Sequence, residues 1–165
     1  MLTEPRIVDR TEQPYVAIKA SVTMETIGRV LPELHPNVFA WLGERDIAPA
    51  GAPFWKYDVI DMEREMVVEV GVPVEKAVTG DDRVLAGVLP AGTYVSAIHT
   101  GHPLGLMEAT AKLLGWADSK GLSWDKSEVA GGEAWGARLE IYETDPAVEP
   151  DMDKWETELA FRLAD

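Results

Sequence analysis

The chain has no cysteine, which excludes disulfides, a thiol nucleophile and thiolate metal ligation. Basic residues are scarce. Fifteen Lys and Arg stand against 29 Asp and Glu, for a net charge of -14. Phosphate binding needs clustered cations, so the expected partners do not include nucleic acid, and an anionic membrane surface is disfavoured. No apolar run approaches the ~18 residues of a membrane span. The N-terminus lacks the basic and apolar regions of a signal peptide. The expectation is a soluble cytoplasmic protein. Histidines are few: His35, His99 and His102. The last two have no third ligand at a metal-binding spacing, so no metal is expected. Neither a G-x-S-x-G nucleophile elbow nor a G-x-x-x-x-G-K phosphate loop occurs, and no cofactor is expected.

What the chain does contain is a repeat. Val38-Phe39-Ala40-Trp41-Leu42 reads like Leu113-Leu114-Gly115-Trp116-Ala117. Phe54-Trp55-Lys56-Tyr57 parallels Leu139-Glu140-Ile141-Tyr142, and Val68-Glu69-Val70 parallels Thr157-Glu158-Leu159. The copies run over about 14–78 and about 83–163 of a single domain, 1–165. Two copies packed about a pseudo-twofold axis leave a groove between them, a usual place for a small ligand. With 165 residues and 46% hydrophobic content, the chain can bury a proper core.

The spacing predicts a strand over 14–23, then a helix to about Asp46 that Pro32 and Pro36 break or kink. Its better-formed part is expected from Pro36 to Arg45. Phe54–Ile60 and Glu65–Val74 read as strands around a turn at Asp61–Arg64. Val84–Leu89 and Thr93–Thr100 read as a hairpin feeding a second helix over Leu104–Lys120, closed by Gly121. Ala134–Thr144 and Trp155–Leu163 are the last two strands. Each half is thus strand, helix, strand, strand, with an extra strand before the second copy. The fold class is α+β, with helices laid on a mixed or antiparallel sheet.

Alternation sorts the residues that could bind or react. On the strand over 134–144, Trp135, Ala137, Leu139 and Ile141 form the expected core face. Gly136, Arg138, Glu140 and Tyr142 share the other, which sets a carboxylate beside a phenol. Trp55 and Tyr57 share a face in the first copy, and Glu69 and Glu158 hold matched positions among apolar neighbours. A polar face on an antiparallel strand is often only solvated, and Trp41 and Trp116 at helical spacing suit the core.

These segments together resemble the GyrI-like small-molecule-binding family: the duplicated unit, His99-Thr100-Gly101 before a helix, Glu140-Ile141-Tyr142, and the closing Thr157-Glu158-Leu159. The same domain is the effector-binding half of some multidrug-sensing transcription regulators. One departure is His102, which stands between Gly101 and Pro103. The resemblance implies an eight-stranded antiparallel sheet, two helices and a ligand groove on the pseudo-twofold axis. It implies that a buried glutamate ringed by aromatics recognises hydrophobic or cationic aromatic molecules. Glu140 takes that position, with Tyr142, Trp55, Tyr57, Glu69, Glu158, Trp155 and His99 as further ligand-binding candidates.

Three functions follow as expectations. The first is a stand-alone xenobiotic-binding or sequestering protein, since no helix-turn-helix fits before Pro14. The second, which the family also includes, is a hydrolase opening strained cyclopropane rings of DNA-alkylating natural products, with Glu140 positioning or deprotonating water. The third is an acidic protein-interaction module. A homodimer or a regulatory protein partner is compatible with each.

Overall fold

The period-2 apolar pattern of both halves forms one antiparallel sheet in the computed structural model, which describes residues 1–165. Strands β1 (Arg6–Arg10) and β2 (Gln13–Val22) lead into helix α1 (Ile27–Glu44), followed by β3 (Phe54–Ile60) and β4 (Met66–Pro73). The second half begins with β5 (Leu85–Leu89), β6 (Gly92–Thr100) and helix α2 (Leu106–Ser119). A small hairpin, β7 (Lys126–Val129) and β8 (Gly132–Trp135), precedes β9 (Arg138–Tyr142) and β10 (Glu156–Arg162). No helix is long and apolar enough to cross a membrane.

Eight strands follow one path, β1-β6-β10-β9-β3-β4-β2-β5, and the β7–β8 hairpin joins it through β3. The α+β class, the antiparallel sheet and the two helices are as the sequence predicts. The sheet curls into a half-barrel. Its halves exchange edges: β1 precedes β2 but pairs with β6, and β5 precedes β6 but pairs with β2. The first copy therefore also has a leading strand. Only Ile7 and Val8 are apolar in Arg6–Arg10, and Ile7 is itself exposed, too little alternation to signal a strand.

Three other expectations are corrected. Helix α1 is continuous through Pro32 and Pro36. The carbonyls those prolines leave without an amide donor belong to Gly28 and Pro32, residues exposed to water. Leu31, Val38, Trp41 and Leu42 remain a buried stripe holding the helix to the sheet. Ala134–Thr144 is not one strand, because the backbone breaks between β8 and β9 at Gly136. A Cβ there would lie 1.8 Å from Asp125 Oδ2, so the Asp125 carboxylate takes the space a side chain would need. That break carries Trp135 to the helix side, against Trp124 and Phe161 at 5.8 Å each. Finally, the face of Leu139 and Ile141 is not the sole core face.

Both faces of the sheet are covered. On one, α1 packs on β2 and β4 and α2 on β6, enclosing Val68, Val70, Val72, Leu113, Leu159 and Phe161. On the other, Tyr15, Phe54, Tyr94, Leu139 and Ala160 form a second cluster inside the curl. Each Val, Leu or Phe among them stabilises by about 1.5–3 kcal/mol when removed from water. The Phe54 ring packs against Gly71, where a Cβ would stand 2.6 Å from Phe54 Cζ. Gly71→Ala should therefore cost about 1–3 kcal/mol through overpacking. The loss will show as a lower urea midpoint, and Phe54→Leu in the same background should recover part of it. An unchanged midpoint would mean that the ring moves aside freely.

Candidate functional site

The repeat equates Trp55 with Glu140, and the β3–β9 ladder pairs those same two residues. The pseudo-twofold axis therefore passes between an indole and a carboxyl. Paired residues point to the same face, here the helix side. Two positions further along each strand stand Tyr57 and Tyr142, the same residue in both copies. Both phenols donate to Glu140 Oε1, Tyr142 at 2.7 Å and Tyr57 at 3.1 Å. The other carboxyl oxygen, Oε2, receives no protein donor.

Helix α1 closes the site with His35. Trp55 Nε1 donates to His35 Nε2 at 2.8 Å. The Tyr142 ring sits edge-on to Trp55 at 5.2 Å and to His35 at 5.9 Å. Glu140 is left only 8% exposed. Arg138, two residues before it on the same face, makes no ion pair. Its guanidinium stacks over Trp135 at 4.7 Å and Phe161 at 4.8 Å.

Burial dominates the electrostatics. It pushes the Glu140 carboxyl above the usual range, although the two phenols and Arg138 oppose it. Burial also raises Tyr57 and Tyr142 well above the ordinary phenol range, and the Glu140 charge adds to this. Burial lowers His35, which suits an uncharged ring accepting at Nε2. This is a desolvated carboxyl among aromatic side chains, with one oxygen free and no ion pair to Lys or Arg.

Of the candidates from the sequence, Glu140, Trp55, Tyr57 and Tyr142 come together. Glu69 and Glu158 do not join them. They pair with Lys56 and Ile141, one position out of phase with Trp55 and Glu140, and so face the opposite side of the sheet. Trp155 spends its indole N–H on the Glu149 carbonyl at 2.7 Å and closes a loop. His99 shares Glu140's face but lies two strands from Tyr142, about 10 Å away, with its Nε2 3.2 Å from the His102 carbonyl. His35 was legible only as a polar residue inside the apolar stripe of Leu31, Val38 and Leu42, at helical spacing.

The comparisons with known proteins agree with this architecture. The chain belongs to the family described as the GyrI-like small molecule binding domain, whose sequence model matches residues 3–164. EcmrR in complex with DNA is similar at TM-score 0.74 and 19% identity, over 97% of this chain but 57% of that longer one. The C-terminal domain of EcmrR alone gives 0.70 and 18%, over 98% and 97% of the two chains. SAV2435 bound to tetraphenylphosphonium gives 0.64 and 11%, over 98% and 94%. A Listeria innocua protein described as a hydrolase gives 0.66 and 13%, over 98% and 92%. At such identities the likeness is one of fold. No curated protein matches the chain.

On the opposite face, Tyr15 donates to Glu69 Oε1 at 2.6 Å, and Lys56 reaches both Glu69 and Asp58. Burial first, and then Asp58, push the Glu69 carboxyl up to about 7. Burial alone would lower the Lys56 ammonium, but Glu69 and Asp58 outweigh it and hold it charged. A carboxyl raised on folding contributes stability below its unfolded pKa of about 4.3 and loses it as pH rises through its folded value. The melting temperature should therefore fall between pH 5 and pH 8. Glu69→Gln, which stays neutral throughout, should flatten that slope. Parallel slopes in the two proteins would place the titration elsewhere.

Proposed function

We propose that this chain by itself binds hydrophobic or cationic aromatic small molecules at the β3–β9 seam. Glu140 supplies the charge, and Trp55, Tyr57 and Tyr142 supply the aromatic walls. One observation carries the reading: a nearly buried carboxyl whose only hydrogen-bonding partners are two phenols, both on the same oxygen. Desolvating a carboxylate without a cation is costly. A ligand cation beside Oε2 removes that cost, and each aromatic face adds about 0.5–2 kcal/mol. A ligand must part His35 from Trp55, whose hydrogen bond closes the site. Membership of a small-molecule-binding family supports the reading, as does the similar fold of a tetraphenylphosphonium-bound protein.

Cation binding at a carboxyl of raised pKa is coupled to proton release. Affinity for tetraphenylphosphonium should therefore fall as pH drops through the Glu140 transition, above the ordinary carboxyl range. Glu140→Gln should weaken binding about ten-fold or more and remove the pH dependence, with the fold intact by circular dichroism. Tryptophan fluorescence titration from pH 5 to pH 8 measures both effects. Unchanged affinity in Glu140→Gln would remove this carboxyl from the site.

A second reading is hydrolysis of a strained electrophile, in which Glu140 positions a water through its free Oε2. The raised carboxyl favours it, and a protein of similar fold is described as a hydrolase. Mass analysis of a cyclopropane-bearing ligand after incubation decides between the two. A gain of one water, lost in Glu140→Gln far more than binding is lost, identifies an enzyme. Recovery of unchanged ligand identifies a binding protein.

A further inference from the structure

The sheet face opposite Glu140 holds a separate cavity of about 510 Å³, within the size range of small-molecule pockets. Phe54, Tyr94, Leu139 and Ile141 give it apolar and aromatic walls, and Glu143 and Glu158 give it an acidic side. It shares no lining residue with the Glu140 cluster.

The repeat provides an internal comparison for these carboxylates. Sequence alignment of the copies equates Asp58 with Glu143. The ladders equate Lys56–Glu69 with Ile141–Glu158, and Lys19–Glu69 with Ile98–Glu158. In the first copy two lysines serve the acid pair: Lys56 bridges Asp58 and Glu69, and Lys19 Nζ stands 3.8 Å from Asp58 Oδ2. In the second copy both carboxylates are kept, and both lysines are isoleucines. One cation from outside the unit partly compensates: Arg10 of β1 binds Glu158 Oε2 at 2.5 Å, beside Ser96 Oγ at 2.6 Å. Glu143 stands at the exposed mouth without an ion pair, and burial and the Glu158 charge push its carboxyl up. The second copy therefore has an acid pair, an open cavity and a missing ammonium, where the first copy is filled by its own lysine.

We propose that this cavity binds an organic ammonium ion. Its nitrogen takes the place that Lys56 Nζ holds in the first copy, near Glu143 and Glu158. Its apolar body lies on Phe54, Leu139 and Ile141. The competing ligand is an anion drawn to Arg10, whose Nε is buried without an acceptor.

Titration calorimetry on the intact protein with 2-phenylethylammonium tests the proposal, with phenylacetate and 2-phenylethanol as anionic and neutral controls. The ammonium ion alone should bind saturably. Glu143→Gln should weaken it about ten-fold. Ile141→Lys combined with Glu140→Gln, which disables the seam, should abolish it, because the new lysine fills the cavity as Lys56 does. Glu140→Gln, on the other face, should remove only binding at the seam and leave a saturable phase of binding to the cavity, which separates the two sites. Should Ile141→Lys fail to fold, Glu143→Gln decides alone. Absence of saturable binding, equal binding of either control, or loss in Glu140→Gln but not in Glu143→Gln would overturn the proposal.

Discussion

Where β3 meets β9, Trp55 stands opposite Glu140, and the two are also each other's equivalents in the repeat. In a symmetric homodimer, a residue at that point faces its own copy. Two glutamates there would repel, since like charges directly opposite destabilise a sheet, and two tryptophans would leave no charge. A duplicated chain escapes the constraint because its halves diverge independently. It keeps one carboxyl on the axis and surrounds it with paired phenols, Tyr57 and Tyr142, one from each half. The rest of the site is arranged around that single asymmetric pair.

The same division runs through the molecule. Positions identical in the two copies build the frame: the tyrosines beside Glu140, the glutamates on β4 and β10, and Tyr15 and Tyr94 within the curl. Positions that differ create local chemistry. His35 and Trp55 close the seam from one side only. On the opposite face, Lys56 in one copy and Ile141 in the other turn equivalent acid pairs into a filled cluster and an open cavity. The sheet thus carries carboxyls on both faces in different settings: nearly dry among aromatics on the helix side, and cation-paired or solvent-facing within the curl.

The repeat, the two helices and most strands were legible because alternation and helical spacing are local properties of the sequence. Parity within a strand puts Trp55 with Tyr57 and Glu140 with Tyr142, and the β3–β9 register brings the two pairs together. Parity does not report register between strands, and so Glu69 and Glu158 were placed with Glu140 although they face the other way. Arg6–Arg10 was invisible because an edge strand pairing with a distant partner needs few apolar residues of its own. The break at Gly136 depends on the Asp125 side chain, a contact no short window contains. Pro32 and Pro36 misled because their cost depends on exposure, and water serves the carbonyls they leave open.

The exchange of β1 and β5 has a kinetic consequence. The edge of each half is completed by a strand that the other half supplies, and β1 pairs with residues some ninety positions downstream. Neither half closes its sheet until the other has been made, so a chain emerging from the ribosome must hold its first half with one edge unpaired. Contacts of such sequence separation are slow to form, and open edges invite pairing with the wrong partner. Cut between its copies, the protein would yield fragments that finish one another, each bearing the strand its counterpart lacks.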